Sequence, residues 1–136
     1  MNPRIQRKIK DIEEYLTELE SILPSTFEEY NSIICKAACE RYFEKIIDAA
    51  TDAVFLLIKE KGLEVPQDDK QAFEILKKHD ILTAVLCKRL QNAKSMRNLI
   101  VHAYGTVDDK MVFEAITQEL PADASAFLKA VKKSMK

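Results

Sequence analysis

The sequence contains few turn-forming residues and no long apolar run. Its 136 residues include two glycines, four prolines and no tryptophan. So few turn-forming residues argue against a sandwich or barrel of many short strands. No apolar run reaches the roughly 18 residues that a transmembrane helix needs, so we expect no membrane association.

Cysteine and histidine are also scarce, with three and two copies. Cys35 and Cys39 are four residues apart in an apolar stretch, and Cys87 stands alone. No CxxC pair is present and no histidine lies at ligand spacing from a cysteine, which predicts reduced thiols packed in helices. We therefore expect neither a metal site nor a cofactor.

The first ten residues are basic, but acidic residues follow them where a signal peptide would have its apolar stretch. This order predicts a cytoplasmic protein. Hydrophobic residues make up 47% of the chain and charged residues 32%, which excludes a disordered chain. The length predicts one domain covering residues 1–136.

Charge is balanced over the whole chain but uneven along it. The net charge is −1, from 21 basic and 22 acidic side chains. The segment 81–107 has no acidic residue, but it contains Lys88, Arg89, Lys94 and Arg97. This local excess favours an anionic partner, although a helix with a solvated basic face is the simpler alternative.

Apolar residues recur at helical spacing throughout, which predicts an all-α bundle. Pro24 ends the first helix, Gly62 ends a long alanine-rich one, and His79-Asp80 breaks a short one. We expect the second and fourth helices to form an antiparallel core pair. The predicted helices span about 3–23, 27–61, 68–78, 81–103, 108–116 and 121 onward.

The stretch from Ser95 to Gly105 places unusual residue types on one side of a helix. On an ideal helical wheel, polar Arg97, Asn98, His102 and Tyr104 are separated from the apolar side chains. These residue types bind phosphate and transfer protons. Arg97 and His102 lie about 140° apart, so they converge only if the helix ends or distorts near His102 or if a second chain contributes. Alternatively, His102 caps the helix, Arg97 is paired on the surface and Tyr104 packs.

The run Arg97-Asn98-Leu99-Ile100-Val101-His102 resembles the R-x4-6-H motif of HEPN domains, including the Asn after the Arg. Adding Tyr104 gives the R-x4-H-x-Y pattern of the HepT-like branch, also called DUF86. The segments 40–53 and 59–73 and Val107-Asp108 also resemble that branch. The resemblance covers about residues 25–120.

The resemblance implies a HEPN-type four-helix up-and-down bundle with additional helices. It implies a homodimer in which two motifs face one cleft. It also implies a metal-independent endoribonuclease toxin of a type VII toxin–antitoxin pair, acting on tRNA or mRNA. The partner in this family is a minimal nucleotidyltransferase antitoxin, which silences the toxin by transferring AMP to the motif tyrosine, here Tyr104.

The residues fit these roles chemically. Imidazole suits proton transfer near neutral pH, so His102 is the expected acid and base, one copy from each subunit. Arg97 would stabilise charge on the phosphate, and Asn98 would orient His102 or contact RNA. Weaker candidates for contacts to the RNA backbone are Lys88, Arg89 and Lys94.

Some positions depart from the family or have open roles. Position 103 is often acidic or polar in this branch, and here it is Ala103. The residue after the motif tyrosine is often bulky, and here it is Gly105. Both differences could alter substrate choice or partner fit. Glu44 and Asp48 share one side of the long helix, where they either border the cleft or are solvated charges.

Two other functions remain open. One is a non-catalytic HEPN dimerisation module that docks a nucleotidyltransferase or binds a nucleotide. The other is a helical dimerisation protein with no anionic ligand. The intact pair of Arg97 and His102 favours the ribonuclease over the module. The acid-free segment 81–107 argues against the third function.

Overall fold

The structure is a computed structural model that describes residues 2–102 and 107–136. Its described residues form helices joined by short connections, which confirms the all-α prediction. The seven α-helices are α1 (Pro3–Ile22), α2 (Phe27–Tyr30), α3 (Ile33–Glu60), α4 (Asp69–Lys78), α5 (Ala84–His102), α6 (Asp109–Glu114) and α7 (Leu120–Ser134). None of the described helices is long and apolar enough to span a membrane.

The α1–α3 pair forms the most extensive helix contact. One stripe of α1 buries isoleucine and leucine at spacings of three and four, and α3 presents small residues to its neighbours. Ala49, Ala50 and Ala53 are buried, so the helices approach closely there. The predicted core pair of the second and fourth helices, here α3 and α5, does touch, but its contact is smaller than that of α1 with α3.

The prediction of one continuous helix over residues 27–61 is wrong. The chain forms a single turn, α2, and restarts at α3 because Ser32 adopts extended backbone and caps the new helix. Its hydroxyl accepts a hydrogen bond from the Cys35 backbone N–H at 3.2 Å. Ile33 and Ile34, which continued the apparent apolar pattern, are 86% and 84% exposed.

Side-chain caps and one glycine set three other helix ends. Thr26 accepts from the Glu29 N–H at the start of α2, and Asp68 accepts from the Gln71 N–H at the start of α4. Gly62 after α3 has a φ of +64°, a conformation that favours glycine.

The last two predicted helices form one helical run rather than two separate ones. A π-helical segment, Ala115–Glu119, joins α6 to α7 without a break. Pro121 lies in the first turn of α7, where it has no N–H to donate and its ring crowds the carbonyl of residue 117. A widened π turn before a proline relieves that crowding and keeps the run intact.

Candidate functional site

The motif residues lie in the last turns of α5. Thr83 starts this helix, with its hydroxyl accepting from the Leu86 N–H at 3.1 Å. Leu86, Cys87 and Leu90 anchor the first half of the helix in the core. Beyond Gln91 no residue of α5 is fully buried, so the motif end of the helix lies at the surface.

Arg97 is held against α3 by a carboxylate. Its Nε lies 2.9 Å from Asp48 Oδ1, and its Nη2 donates a hydrogen bond to Asp48 Oδ2 at 3.1 Å. Glu44 Oε1 lies 3.9 Å from the same Nη2. The Arg97 side chain is only 17% exposed, so it is a partly desolvated cation with a fixed direction.

Asn98 and His102 are exposed, unlike Arg97. Arg97 Nη1 donates a hydrogen bond to Asn98 Oδ1 at 3.4 Å, so the two side chains are in contact. Helix α5 is regular through His102, its last residue, so Arg97 and His102 leave it about 140° apart. Because α5 ends at His102, the end of the helix and a contribution from a second chain both stay predictions for how the two side chains converge.

The modification site predicted from the resemblance, Tyr104, lies outside the described residues, as do Ala103 and Gly105. The residues that follow are anchored to the start of α3. Lys36 Nζ and Asp109 Oδ2 form a 3.1 Å ion pair that joins α3 to α6. Burial and the charge of Asp109 raise the pKa of nearby Glu40, while Lys36 opposes that rise.

The three weaker RNA-binding candidates lie in different surroundings. Lys88 is exposed, and its amine makes no ion pair within the described part of the chain. Arg89 Nε is 2.7 Å from Asp123 Oδ1, a contact that joins α5 to α7. Lys94, with a side chain 15% exposed, lies 3.3 Å from Asp69 Oδ2 and 3.7 Å from Asp48 Oδ1.

A polar groove runs along α5 beside the motif. Its volume is about 380 Å³, and both Lys88 and Lys94 border it. Asn98 lies at the motif end, so the groove leads along the helix toward Arg97. The remaining lining residues are Asp68, Asp69, Lys70, Phe73, Gln91, Asn92 and Ser95.

The two carboxylates whose roles the sequence left open, Glu44 and Asp48, both approach Arg97. Asp69 was missed by sequence reasoning, because its contact with Lys94 depends on how α4 packs beside α5. Among residues 2–102 and 107–136, no group of three or more His, Cys, Asp or Glu side chains is placed to hold a metal ion.

Comparison with known proteins gives consistent matches. A family model described as Ribonuclease HepT-like matches residues 12–131. The tRNA nuclease HepT of Aphanizomenon flos-aquae is 28% identical over 114 residues, covering 83% of this chain and 78% of that protein.

Solved structures match over nearly the full length. A tri-AMPylated HEPN toxin of Shewanella oneidensis, in complex with its MNT antitoxin, superposes with a TM-score of 0.90 at 20% identity. That match covers 98% of this chain and 99% of the other. A toxin–antitoxin structure with AMP-PNP gives a TM-score of 0.89 at 18% identity, covering 97% and 99%. At these identities, the two structures show that the chain has the HEPN-type fold.

Proposed function

Because the chain belongs to the Ribonuclease HepT-like family, we propose that it is a metal-independent endoribonuclease toxin of a type VII toxin–antitoxin pair. One observation carries the proposal: Arg97 is a fixed, partly desolvated cation on the helix that ends in exposed His102. The first can stabilise phosphate charge and the second can move protons. The name of the Aphanizomenon relative, a tRNA nuclease, supports RNA as the substrate, whether tRNA or mRNA.

The reaction that fits these groups is an internal transesterification. One histidine removes the proton of a ribose 2′-OH, and the oxygen attacks the adjacent phosphorus. Arg97 stabilises the negative charge that develops on the phosphoryl oxygens. The bond to the 5′-oxygen breaks as a second histidine protonates that oxygen. The products are a 2′,3′-cyclic phosphate and a 5′-OH, and the protons balance without a metal.

Two histidines require two copies of this chain, so the mechanism includes a homodimer. The divergence of Arg97 and His102 on one regular helix supports this. Leu99 adds support, because it lies three residues before His102 on nearly the same side of α5 and is 54% exposed. A second copy over this side would bury Leu99 and bring its own motif to the cleft.

We extend the AMPylation described for the Shewanella toxin to Tyr104 of this chain. Tyr104 stands two residues beyond His102 in the sequence. An AMP on its hydroxyl would add a phosphate and a bulky base next to the motif. The phosphate would compete with RNA for Arg97, which explains how a nucleotidyltransferase antitoxin silences the toxin.

The groove along α5 supports a path for the RNA strand. Lys88 and Lys94 border it, and Asn98 lies where it meets the motif. Exposed Lys88 is the stronger candidate for a phosphate contact, because Lys94 is already paired with two carboxylates. Arg89 is paired with Asp123 and lies outside the residues that line this groove, although its side chain is 46% exposed.

Expression in bacteria without the antitoxin tests the proposal. The wild type should arrest growth, and Arg97→Ala and His102→Ala should not, although both variants should still dimerise. His79→Ala is the matched control, because His79 contacts Glu64 far from the motif in sequence and should leave toxicity unchanged. Growth arrest by His102→Ala would contradict the mechanism. A harmless wild type that still captures the nucleotidyltransferase would support the non-catalytic docking module.

A further inference from the structure

The carboxylate of Asp48 forms an ion pair with Arg97 along the side of the guanidinium that contains Nε and Nη2. Asp48 Oδ1 faces Nε at 2.9 Å, and Oδ2 accepts from Nη2 at 3.1 Å. Nε is buried and makes no hydrogen bond to a described residue, so the Nη2–Oδ2 hydrogen bond and the charge of Oδ1 beside Nε restrict the guanidinium. The two residues are 49 positions apart, so the contact fixes α5 against α3 at the motif.

The contact with Asp48 leaves other N–H donors of the guanidinium available to a ligand. A guanidinium has five N–H donors in a rigid fork. Asp48 accepts a hydrogen bond from Nη2, and its other oxygen lies beside Nε, whereas Nη1 donates one hydrogen bond to Asn98 Oδ1. The remaining donors on Nη1 and Nη2 form a second edge, which is the bidentate site that a phosphate fits.

Asp48 is itself held in place by neighbouring charges. Lys94 Nζ lies 3.7 Å from Asp48 Oδ1 and 3.3 Å from Asp69 Oδ2. Lys94 therefore links Asp48 to the start of α4. On the other side, Glu44 Oε1 lies 3.9 Å from Arg97 and 3.0 Å from Arg41 Nη1. Charges of opposite sign alternate through this network, so the orientation of Arg97 is set before any substrate arrives.

We propose that Asp48 is a positioning residue that aims the free edge of Arg97 at the scissile phosphate. The inference rests on the proposed ribonuclease function and adds a residue that the R-x4-H-x-Y motif does not contain. A cation that is already oriented stabilises developing charge without reorganising during the reaction. The negative charge of Asp48 also weakens ground-state attraction of RNA to Arg97, so Asp48 should raise both kcat and KM.

The test compares Asp48→Asn with Asp52→Asn. Asp52 lies one turn further along α3, is exposed and pairs with Lys8, so it is a matched control away from the motif. Asp48→Asn should lower kcat about 10- to 100-fold, the cost of a misplaced catalytic group. Its KM for RNA should stay level or fall, because the site loses one negative charge. Asp48→Glu should recover part of kcat, and Asp52→Asn should match the wild type.

A kinetic outcome can overturn the proposal. If Asp48→Asn keeps kcat and lowers only KM, Asp48 merely competes with the substrate phosphate and positions nothing. If Asp48→Asn lowers kcat only by unfolding the protein, the melting temperature of the variant will fall and Asp48→Glu will not restore kcat. That result would also overturn the positioning role.

A second readout does not depend on catalysis. In ¹⁵N relaxation measurements, the Arg97 Nε–H should be ordered in the wild type and in Asp52→Asn, but mobile in Asp48→Asn. Equal order in all three proteins would refute the positioning role even if the wild type cuts RNA. If the wild type cuts no RNA, the proposed function fails, while the loss of Arg97 order would still show what Asp48 does.

Discussion

Arg97 and His102 project from one regular helix in directions about 140° apart. Within one chain, Arg97 is directed to the α3 carboxylates, whereas His102 is exposed at the end of α5. In the proposed mechanism, a second molecule beside His102 brings both groups to one phosphate. This relationship is the physical basis for the proposed dimer.

Leu99→Glu should separate the dimer into monomers. The leucine is 54% exposed next to His102, and a charge there would be buried unpaired against the second copy. Sedimentation velocity should show a monomer, and RNA cleavage should be lost although Arg97 and His102 are intact. Val65→Glu, at an 89% exposed loop position, should remain a dimer and stay active. A dimeric Leu99→Glu would remove this side of α5 from the interface.

Tyr104→Phe should cleave RNA but resist the antitoxin. With the nucleotidyltransferase and ATP, the wild type should gain the mass of AMP and lose activity, because the phosphate occupies Arg97. The variant has no hydroxyl to receive AMP, so its mass and activity should not change. Tyr15→Phe is the control and should be modified like the wild type. Modification of Tyr104→Phe to the same extent would place the acceptor elsewhere.

Lys88→Ala should weaken RNA binding without sequence preference. Lys88 is exposed in the groove beside the motif, and a contact to phosphate contributes through counterion release. Titrations of a non-cleavable RNA at several salt concentrations should show that the salt slope decreases by about one. Lys10→Ala, an exposed change on α1, should leave affinity and slope unaltered. A Lys88 variant with the wild-type slope would mean that the strand follows another path.

Tyr30→Phe should stabilise the fold. Tyr30 is fully buried, its hydroxyl has no hydrogen-bond partner among the described residues, and burial raises its pKa. Removing a buried, unpaired hydroxyl should add about 1 kcal/mol to the free energy of unfolding in urea.

Tyr42→Phe is the control for this unfolding measurement, because the Tyr42 hydroxyl has a hydrogen-bond partner. The Tyr42 hydroxyl donates to Glu18 Oε2 at 2.6 Å, so losing it should leave stability unchanged or lower it slightly. A destabilised Tyr30→Phe would show that the buried hydroxyl has a partner after all.

The sequence predicts helix ends well where a cap or breaker marks them. Pro24, Gly62 and Asp68 each set a boundary through local backbone chemistry. The break between α2 and α3 was missed because apolar residues continue across it at helical spacing. Ile33 and Ile34 are exposed, which a periodic pattern does not reveal.

In the candidate site, too, local features were predictable from the sequence and contacts between distant segments were not. Arg97, Asn98 and His102 are close in sequence and lie on one helix, so their spacing was informative. The contact of Asp48 with Arg97 depends on packing between segments 49 residues apart. Sequence placed Asp48 on one side of a helix but could not show which residue it meets.

Cleavage of tRNA and total RNA by purified protein in EDTA, beside His102→Ala, is the measurement that separates a metal-independent ribonuclease from a docking module. The protein must be made without its antitoxin, and intact mass must show that Tyr104 is unmodified. We expect cleavage by the wild type alone, leaving 2′,3′-cyclic phosphate and 5′-OH ends. Equal cleavage by His102→Ala, or none by unmodified wild type, would contradict this expectation.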